Sequence, residues 1–187
     1  MGRAWDERAP SLQIVLTAVL AAVLYGVVHD QVTARVCVEY FTIGHPPVFR
    51  TSDPTLLGLG WGIIATWWVG LILGVPLAVV ARWGSWPKTK PSALRRPIAV
   101  LLACMALSAT VAGLAGYAAA RADLVFLVGP LASRVPEARH DAFIADLWSH
   151  LASYGSGFVG GVVVIVFVGR RRRAAARQAA SGEGVDG

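Results

Sequence analysis

The chain has 187 residues, of which 56% are hydrophobic, and its mean hydropathy is +0.59. Only 15% of the residues are charged, whereas a typical soluble domain carries about 25%, so the composition excludes an ordinary soluble protein. The net charge of +6 comes from basic residues beside apolar runs, which predicts contact with membrane lipid and disfavours a nucleic-acid partner.

Four runs that contain no Asp, Glu, Lys or Arg predict four transmembrane helices. They cover residues 12–28, 56–81, 98–120 and 151–169. A helix needs about 20 residues, at about 1.5 Å rise each, to cross a hydrocarbon core of about 30 Å. The runs are apolar on all sides, unlike the one-sided stripe of a helix in a soluble protein. We therefore predict an all-α, four-transmembrane-helix bundle with two outer-face connecting segments, residues 29–55 and 121–150.

The first run also resembles a secretory signal peptide, because Arg3 and Arg8 precede its apolar stretch. No small-x-small cleavage site follows, and apolar residues continue to position 28. Cleavage of the first run is therefore the less favoured alternative. The segment after it lacks Gly and Pro as far as Tyr40, so the helix is expected to continue and to break near Pro46 and Pro47.

The second run begins after Asp53, which can cap a helix, and Pro54, which suits its first turn. Pro76 predicts a kink. Glycines four residues apart recur in the second and fourth runs: Gly58 and Gly62, Gly70 and Gly74, Gly157 and Gly161. This spacing lets helix backbones approach closely. It predicts packing inside the bundle or, alternatively, a homo-oligomer or a partner membrane protein held on these faces.

The remaining segments complete a single membrane domain, residues 1–173. Residues 82–97 form a basic loop, and a helix is expected from position 137 to 150 in the second outer segment. Residues 170–173 are four consecutive arginines that stop the fourth span. The tail, residues 174–187, consists mostly of small and polar residues and is predicted to be disordered.

The distribution of positive charge predicts the orientation. The N-terminus, the 82–97 loop and the tail contain twelve Lys and Arg residues, and the two outer segments contain five. The positive-inside rule therefore places both termini in the cytoplasm.

The predicted spans contain no Asp, Glu, Lys, Arg or His. This disfavours proton relays, ion pumps and voltage sensors, which need charge at membrane depth. All the histidines fall in the outer segments, as His29, His45, His140 and His150. Candidate acid–base residues accompany them, as Asp30, Arg35, Glu39, Asp141 and Asp146.

Histidine with carboxylate can bind a transition metal or act in acid–base catalysis. Asp146 lies one helical turn before His150 and can orient its ring. The histidine spacing matches no metal motif, however, and interfacial histidines bonded to backbone or water are the plainer interpretation. Cys37 and Cys104 lie at different predicted depths, which disfavours a disulfide, and no CxxC pair, phosphate loop or nucleophile elbow occurs.

The segment HDQVTARVCVEYFTIGHPP, residues 29–47, is the most distinctive in the chain. Together with PTLLGLGWGIIATWWVGL, residues 54–71, it resembles a family of bacterial multi-pass membrane proteins. The resemblance implies an inner-membrane location and the same helical architecture. It implies no activity, since none is known for the family, and no functional residue is carried over.

Three hypotheses about function follow from the sequence. The favoured one is a non-catalytic accessory or binding protein of the bacterial inner (plasma) membrane. The second is a membrane-embedded enzyme, or a metal- or haem-binding protein, that uses the outer His/Asp/Glu residues. The third is a transporter of a neutral or apolar solute.

Overall fold

The computed structural model describes residues 2–182, which form helices and no strand. The α-helices are α1 (Gly2–Val36), α2 (Val38–Thr42), α3 (Pro54–Ile64), α4 (Trp67–Arg82), α5 (Arg95–Arg121), α6 (Pro130–Arg134) and α7 (His140–Gly182). Four helical segments are long and apolar enough to cross a membrane: Arg8–Val36, Pro54–Arg82, Pro91–Arg121 and Glu137–Ser181. The predicted all-α architecture with four spans is thereby confirmed.

The bundle consists of two sets of helices. In one set α1 packs along α3 and α4, and in the other α5 packs along α7. Glycine allows the closest approach in the first set, because a Cβ on Gly62 would lie only 2.5 Å from the Cα of Val27. The six glycines of the predicted pairs all face another helix of the same chain. Their role inside the bundle is visible, and association with a second chain through them stays a prediction.

The second apolar run forms two helices, and the break does not lie at Pro76. Pro76 sits inside α4, whereas the interruption falls at Ala65 and Thr66. There the Thr66 hydroxyl donates to the carbonyl oxygen of Gly62, and the Thr66 amide donates to Ile63 at 3.3 Å, three residues back. A side chain that competes for backbone carbonyls in this way disturbs the regular helical ladder.

Both outer segments fold over one end of the bundle. α1 continues past the predicted span, as expected, but it ends at Val36, before the predicted break near Pro46 and Pro47. α2 then turns the chain across the end of the bundle and packs on α7. The aromatic rings of Tyr40 and Phe41 are buried there beside Phe143. The predicted connecting helix and the fourth span form one continuous helix, α7, of 43 residues.

α7 also continues beyond the membrane-spanning run. The segment predicted to be disordered from position 174 is helical over residues 174–182, and residues 183–187 lie outside the described part of the chain. Five of these nine residues are Ala, the best helix former, and Arg177 and Gln178 are also good helix formers.

The bundle end that contains Arg172, called here the arginine end, buries a cation. Arg172 is 4% exposed, although its neighbours in the arginine run are exposed. Its guanidinium donates to the carbonyl oxygens of Pro87 at 2.8 Å and of Trp83 and Trp86 at 2.9 Å, and it also donates to Val80. These carbonyls end α4 and begin the following loop, so Arg172 ties α7 to α4.

Candidate metal centre

The opposite end of the bundle brings together His29, Asp30 and His150, a group called here the histidine cluster. One potential ligand atom of each residue lies within 4.8 Å of the others. His29 and Asp30 come from the last turns of α1, and His150 comes from α7. Asp30 and His150 are each 5% exposed, and His29 is half-buried.

The hydrogen bond at Nδ1 of His150 leaves its other ring nitrogen, Nε2, facing a carboxylate. Its Nδ1 lies 2.8 Å from the backbone carbonyl oxygen of Asp146, which can only accept, so Nδ1 carries the proton. In the neutral ring Nε2 then presents a lone pair, and it lies 3.3 Å from Oδ1 of Asp30. In this neutral form two acceptors face each other, whereas in the protonated form Nε2 donates to Asp30 and the contact is an ion pair. A proton or a metal cation between them removes the conflict.

His29 adds a third potential metal ligand to the histidine cluster. Its Nε2 is buried and has no hydrogen-bond partner among residues 2–182. Its ring centroid lies 4.6 Å from that of His150 in an edge-on arrangement. Buried polar atoms without a partner are rare in proteins. Two imidazoles and one carboxylate thus lie close together. The described residues provide no hydrogen-bond partner for Nε2 of His29.

Aromatic rings fix the orientation of the cluster. Tyr40 stacks on His150 at 4.4 Å between ring centroids, and Tyr25 stacks on His29 at 5.7 Å. The Tyr25 hydroxyl also accepts a hydrogen bond of 3.0 Å from Ser153. Burial raises the pKa of the Tyr40 phenol, which keeps it protonated. The edge contact between His29 and His150 leaves no space for a porphyrin plane between their rings, so the geometry does not suit a haem held by both.

The other two histidines lie outside the cluster. Nδ1 of His45 is 2.9 Å from the carbonyl oxygen of Tyr40, and its ring lies against Trp61 at 4.6 Å. Burial lowers the pKa of His45, which favours its neutral form. Nε2 of His140 is 3.0 Å from the carbonyl oxygen of Val135. Both side chains thus satisfy backbone carbonyls of the outer segments that cover this end.

Three of the predicted acid–base candidates are bound elsewhere. Arg35 donates to the Gln31 carbonyl at 2.6 Å, Asp141 lies 3.6 Å from Arg121, and Glu39 pairs with Arg139 at 3.0 Å. For Glu39, burial raises the pKa, but hydrogen bonds from its own amide and from Arg139 outweigh this effect. The net result is a lowered pKa, so the carboxylate stays charged.

Asp146 stands beside the cluster in a different way from the prediction. Its backbone carbonyl, not its carboxylate, orients the ring of His150. The side chain is 2% exposed, and its Oδ2 has no hydrogen-bond partner in the described part of the chain.

Sequence reasoning missed the aromatic residues around the cluster. Tyr25 precedes His29 by four residues, and Tyr154 follows His150 by four residues. Residues four apart share one face of a helix. This spacing is the signal that points to both tyrosines once the histidines are chosen.

Comparison with known proteins finds no matching family model, no similar curated protein and no similar solved structure. The resemblance of residues 29–71 to bacterial membrane proteins therefore stays a prediction, and the geometry of the histidine cluster carries the functional argument.

Proposed function

We propose that this protein is a multi-pass metalloprotein of the bacterial inner membrane that binds one transition-metal ion through His29, Asp30 and His150. The observation that carries the proposal is the meeting of Nε2 of His150 with the Asp30 carboxylate, beside a buried His29 nitrogen that lacks a partner. A single cation satisfies all three groups. Imidazole and carboxylate are common ligands of zinc and of non-haem iron.

The spacing of the cluster supports this assignment. Two ligand atoms bound at about 2.0 Å to a tetrahedral ion lie about 3.3 Å apart. The distance between Nε2 of His150 and Oδ1 of Asp30 is 3.3 Å. The widest separation within the group is below 4.8 Å, so small side-chain movements complete the set.

Three protein ligands leave at least one coordination position open. Structural zinc sites are closed by four protein ligands, whereas catalytic sites keep a position for water or substrate. Two histidines and one carboxylate with open positions are also typical of non-haem iron(II) enzymes. The cluster therefore favours the second hypothesis from the sequence, an enzyme or ligand-binding metalloprotein.

The orientation of the protein completes the proposal. Twelve of the 17 Lys and Arg residues lie on the side of the termini and the 82–97 loop. With both termini in the cytoplasm, the histidine cluster lies near the periplasmic face.

A shared proton is the competing explanation for the close approach of His150 to Asp30. A proton between these two groups satisfies that pair but leaves Nε2 of His29 without a partner. His29 therefore separates the two explanations, because only a metal requires it.

Metal analysis of the purified full chain tests the proposal. The protein in detergent is incubated anaerobically with Fe²⁺, Zn²⁺ or Co²⁺, desalted and measured by elemental mass spectrometry. We expect about one ion per chain, and the Co²⁺ form should show a visible absorption band from nitrogen and oxygen ligands.

The variants His29→Gln, Asp30→Asn and His150→Gln should lose the ion, whereas His140→Ala should keep it. His140 is a matched control because it begins the same helix and bonds only a loop carbonyl. Thermal unfolding of each variant shows that it is folded. Absence of a bound ion in the wild type, or full binding by His29→Gln, would contradict the proposal.

A further inference from the structure

A groove between α1, α5 and α7 opens on the lipid-facing side of the bundle and has a cavity volume of about 390 Å³. Its rim is apolar and exposed, with Val28, Val32 and Leu114 each between 57% and 67% exposed. Because these helices span the membrane, the rim faces hydrocarbon chains. The floor of the groove carries His29 and Asp146.

Asp146 is the residue of this groove that has an unsatisfied hydrogen-bond acceptor. It is 2% exposed, and its Oδ2 has no hydrogen-bond partner within residues 2–182. A buried carboxylate oxygen without a donor is unfavourable. Because Asp146 lines the groove, a hydroxyl group that enters can donate to this oxygen once the carboxylate turns towards the cavity.

The charge of the lining restricts the head group of such a ligand. No Lys or Arg occurs among the residues that line the groove. A phosphate or carboxylate head would therefore meet the Asp146 carboxylate with no Lys or Arg among the lining residues to compensate its charge. An uncharged hydroxyl head suits the floor, and a hydrocarbon tail suits the rim.

His29 connects the groove with the proposed metal centre, because it belongs to the lining of the groove and to the histidine cluster. A head group on the floor thus comes next to the ion, and this part of the inference rests on the proposed function.

We propose that the groove binds an uncharged, membrane-dissolved molecule that has a hydroxyl head and a hydrocarbon tail, and that the hydroxyl donates to Asp146 beside the metal. The ligand enters sideways from the bilayer.

Photocrosslinking in phosphatidylcholine nanodiscs tests this inference on the full chain. The probe is hexadecanol with a diazirine in its chain, and the matched control probe is its methyl ether, which cannot donate a hydrogen bond. We expect the alcohol to label peptides of α1, α5 and α7 about threefold to tenfold more than the ether, the range that one net hydrogen bond supplies.

Two variants locate the binding site. Asp146→Leu removes the acceptor at similar volume and should abolish the preference for the alcohol. Ala106→Trp fills the groove from an exposed lining position and should reduce labelling by both probes. Leu107→Trp is the control, because Leu107 is 66% exposed and does not line the groove; it should label like the wild type.

Metal content measured on the same samples separates the two proposals. Equal labelling by alcohol and ether in the wild type overturns the groove inference even if the ion binds. Loss of labelling in Leu107→Trp also overturns it. A preference for the alcohol that depends on Asp146, in a protein that binds no ion, upholds the hydroxyl site and defeats the metal proposal.

Discussion

The two ends of the bundle bury ionisable groups to the same degree but satisfy them differently. At the arginine end, Arg172 is 4% exposed, and its guanidinium donates to four backbone carbonyls. In the histidine cluster, Asp30 and His150 are each 5% exposed, and Nε2 of His150 lies 3.3 Å from the Asp30 carboxylate. His29 has a nitrogen without a partner among the described residues. Hydrogen bonds within the chain satisfy the buried cation at the arginine end, whereas on our proposal a bound cation satisfies the histidine cluster.

On the proposed function, this difference separates a structural group from a ligand-binding one. A buried charge is stable when hydrogen bonds surround it, and then it serves the fold. Burial alone therefore does not mark a functional site in this protein. A better indication of a binding site is a group of buried hydrogen-bond acceptors for which the chain provides too few donors.

The alkylation rate of Cys37 should show the largest effect. It tests whether water reaches the end of the bundle that contains the histidine cluster. The thiol is fully buried, and burial raises its pKa from 9.0 to about 12. Because the thiolate is the reactive form, alkylation of the folded protein at pH 8 should be about a thousandfold slower than that of an ordinary thiol. Mass spectrometry after iodoacetamide treatment measures the rate, with the urea-unfolded protein as the reference.

The same shift has a defined sign for stability. The folded state holds the proton more tightly than the unfolded state, so its contribution is present below pH 9 and is lost as the pH rises from 9 towards 12. Cys37→Ala should flatten the alkaline loss of thermal stability. Rapid alkylation of folded Cys37 at pH 8 would show that water reaches this end.

Removal of Arg172 should have the next largest effect. Arg172→Ala leaves several buried carbonyl oxygens without donors and should lower the free energy of unfolding by about 3 kcal/mol. Thermal unfolding in detergent measures the loss, and Arg173→Ala is the matched control because Arg173 is exposed. If the two variants are equally stable, the arginine end does not have the structural role assigned to it.

The ion pair of Arg139 with Glu39 should contribute least. Arg139 also donates to the carbonyl oxygen of Val36 at 2.7 Å, which ends α1. Its side chain is 38% exposed, so solvent screens the pair, and Arg139→Ala should cost about 0.5–1 kcal/mol. Glu39→Gln leaves the hydrogen bond from Arg139 to Val36 in place, so it should lower the free energy of unfolding by less than Arg139→Ala does. A loss comparable to that of Arg172→Ala would show that the pair is not screened.

The sequence predicted the spans because length and uniform apolarity are local properties of each run. The interruption at Thr66 was not predictable in this way. The Thr66 hydroxyl donates to a carbonyl of its own helix, and Gly26 of α1 lies directly against the Thr66 side chain. The interruption therefore depends on the contact between α1 and the second span. Pro76, the more obvious local signal, lies within a continuous helix.

The candidate site was predictable only as a set of residue types on one side of the membrane. His29 and His150 are 121 positions apart, and their approach depends on which helices become neighbours. His45 and His140 look equivalent to them in sequence, yet each lies near a backbone carbonyl of the outer segments. Only the fold distinguishes a histidine that satisfies the backbone from one that lacks a partner.

The division of the bundle into two sets of helices has a consequence for biogenesis. His29 and Asp30 belong to the set formed by α1, α3 and α4, and His150 belongs to the set formed by α5 and α7. Each set is contiguous in sequence, so a ribosome delivers two of the three proposed ligands well before the third. A chain severed between Arg82 and Pro91 and produced as two fragments should regain ion binding only after the fragments reassociate. Metal uptake would then act as a reporter for the last step of assembly.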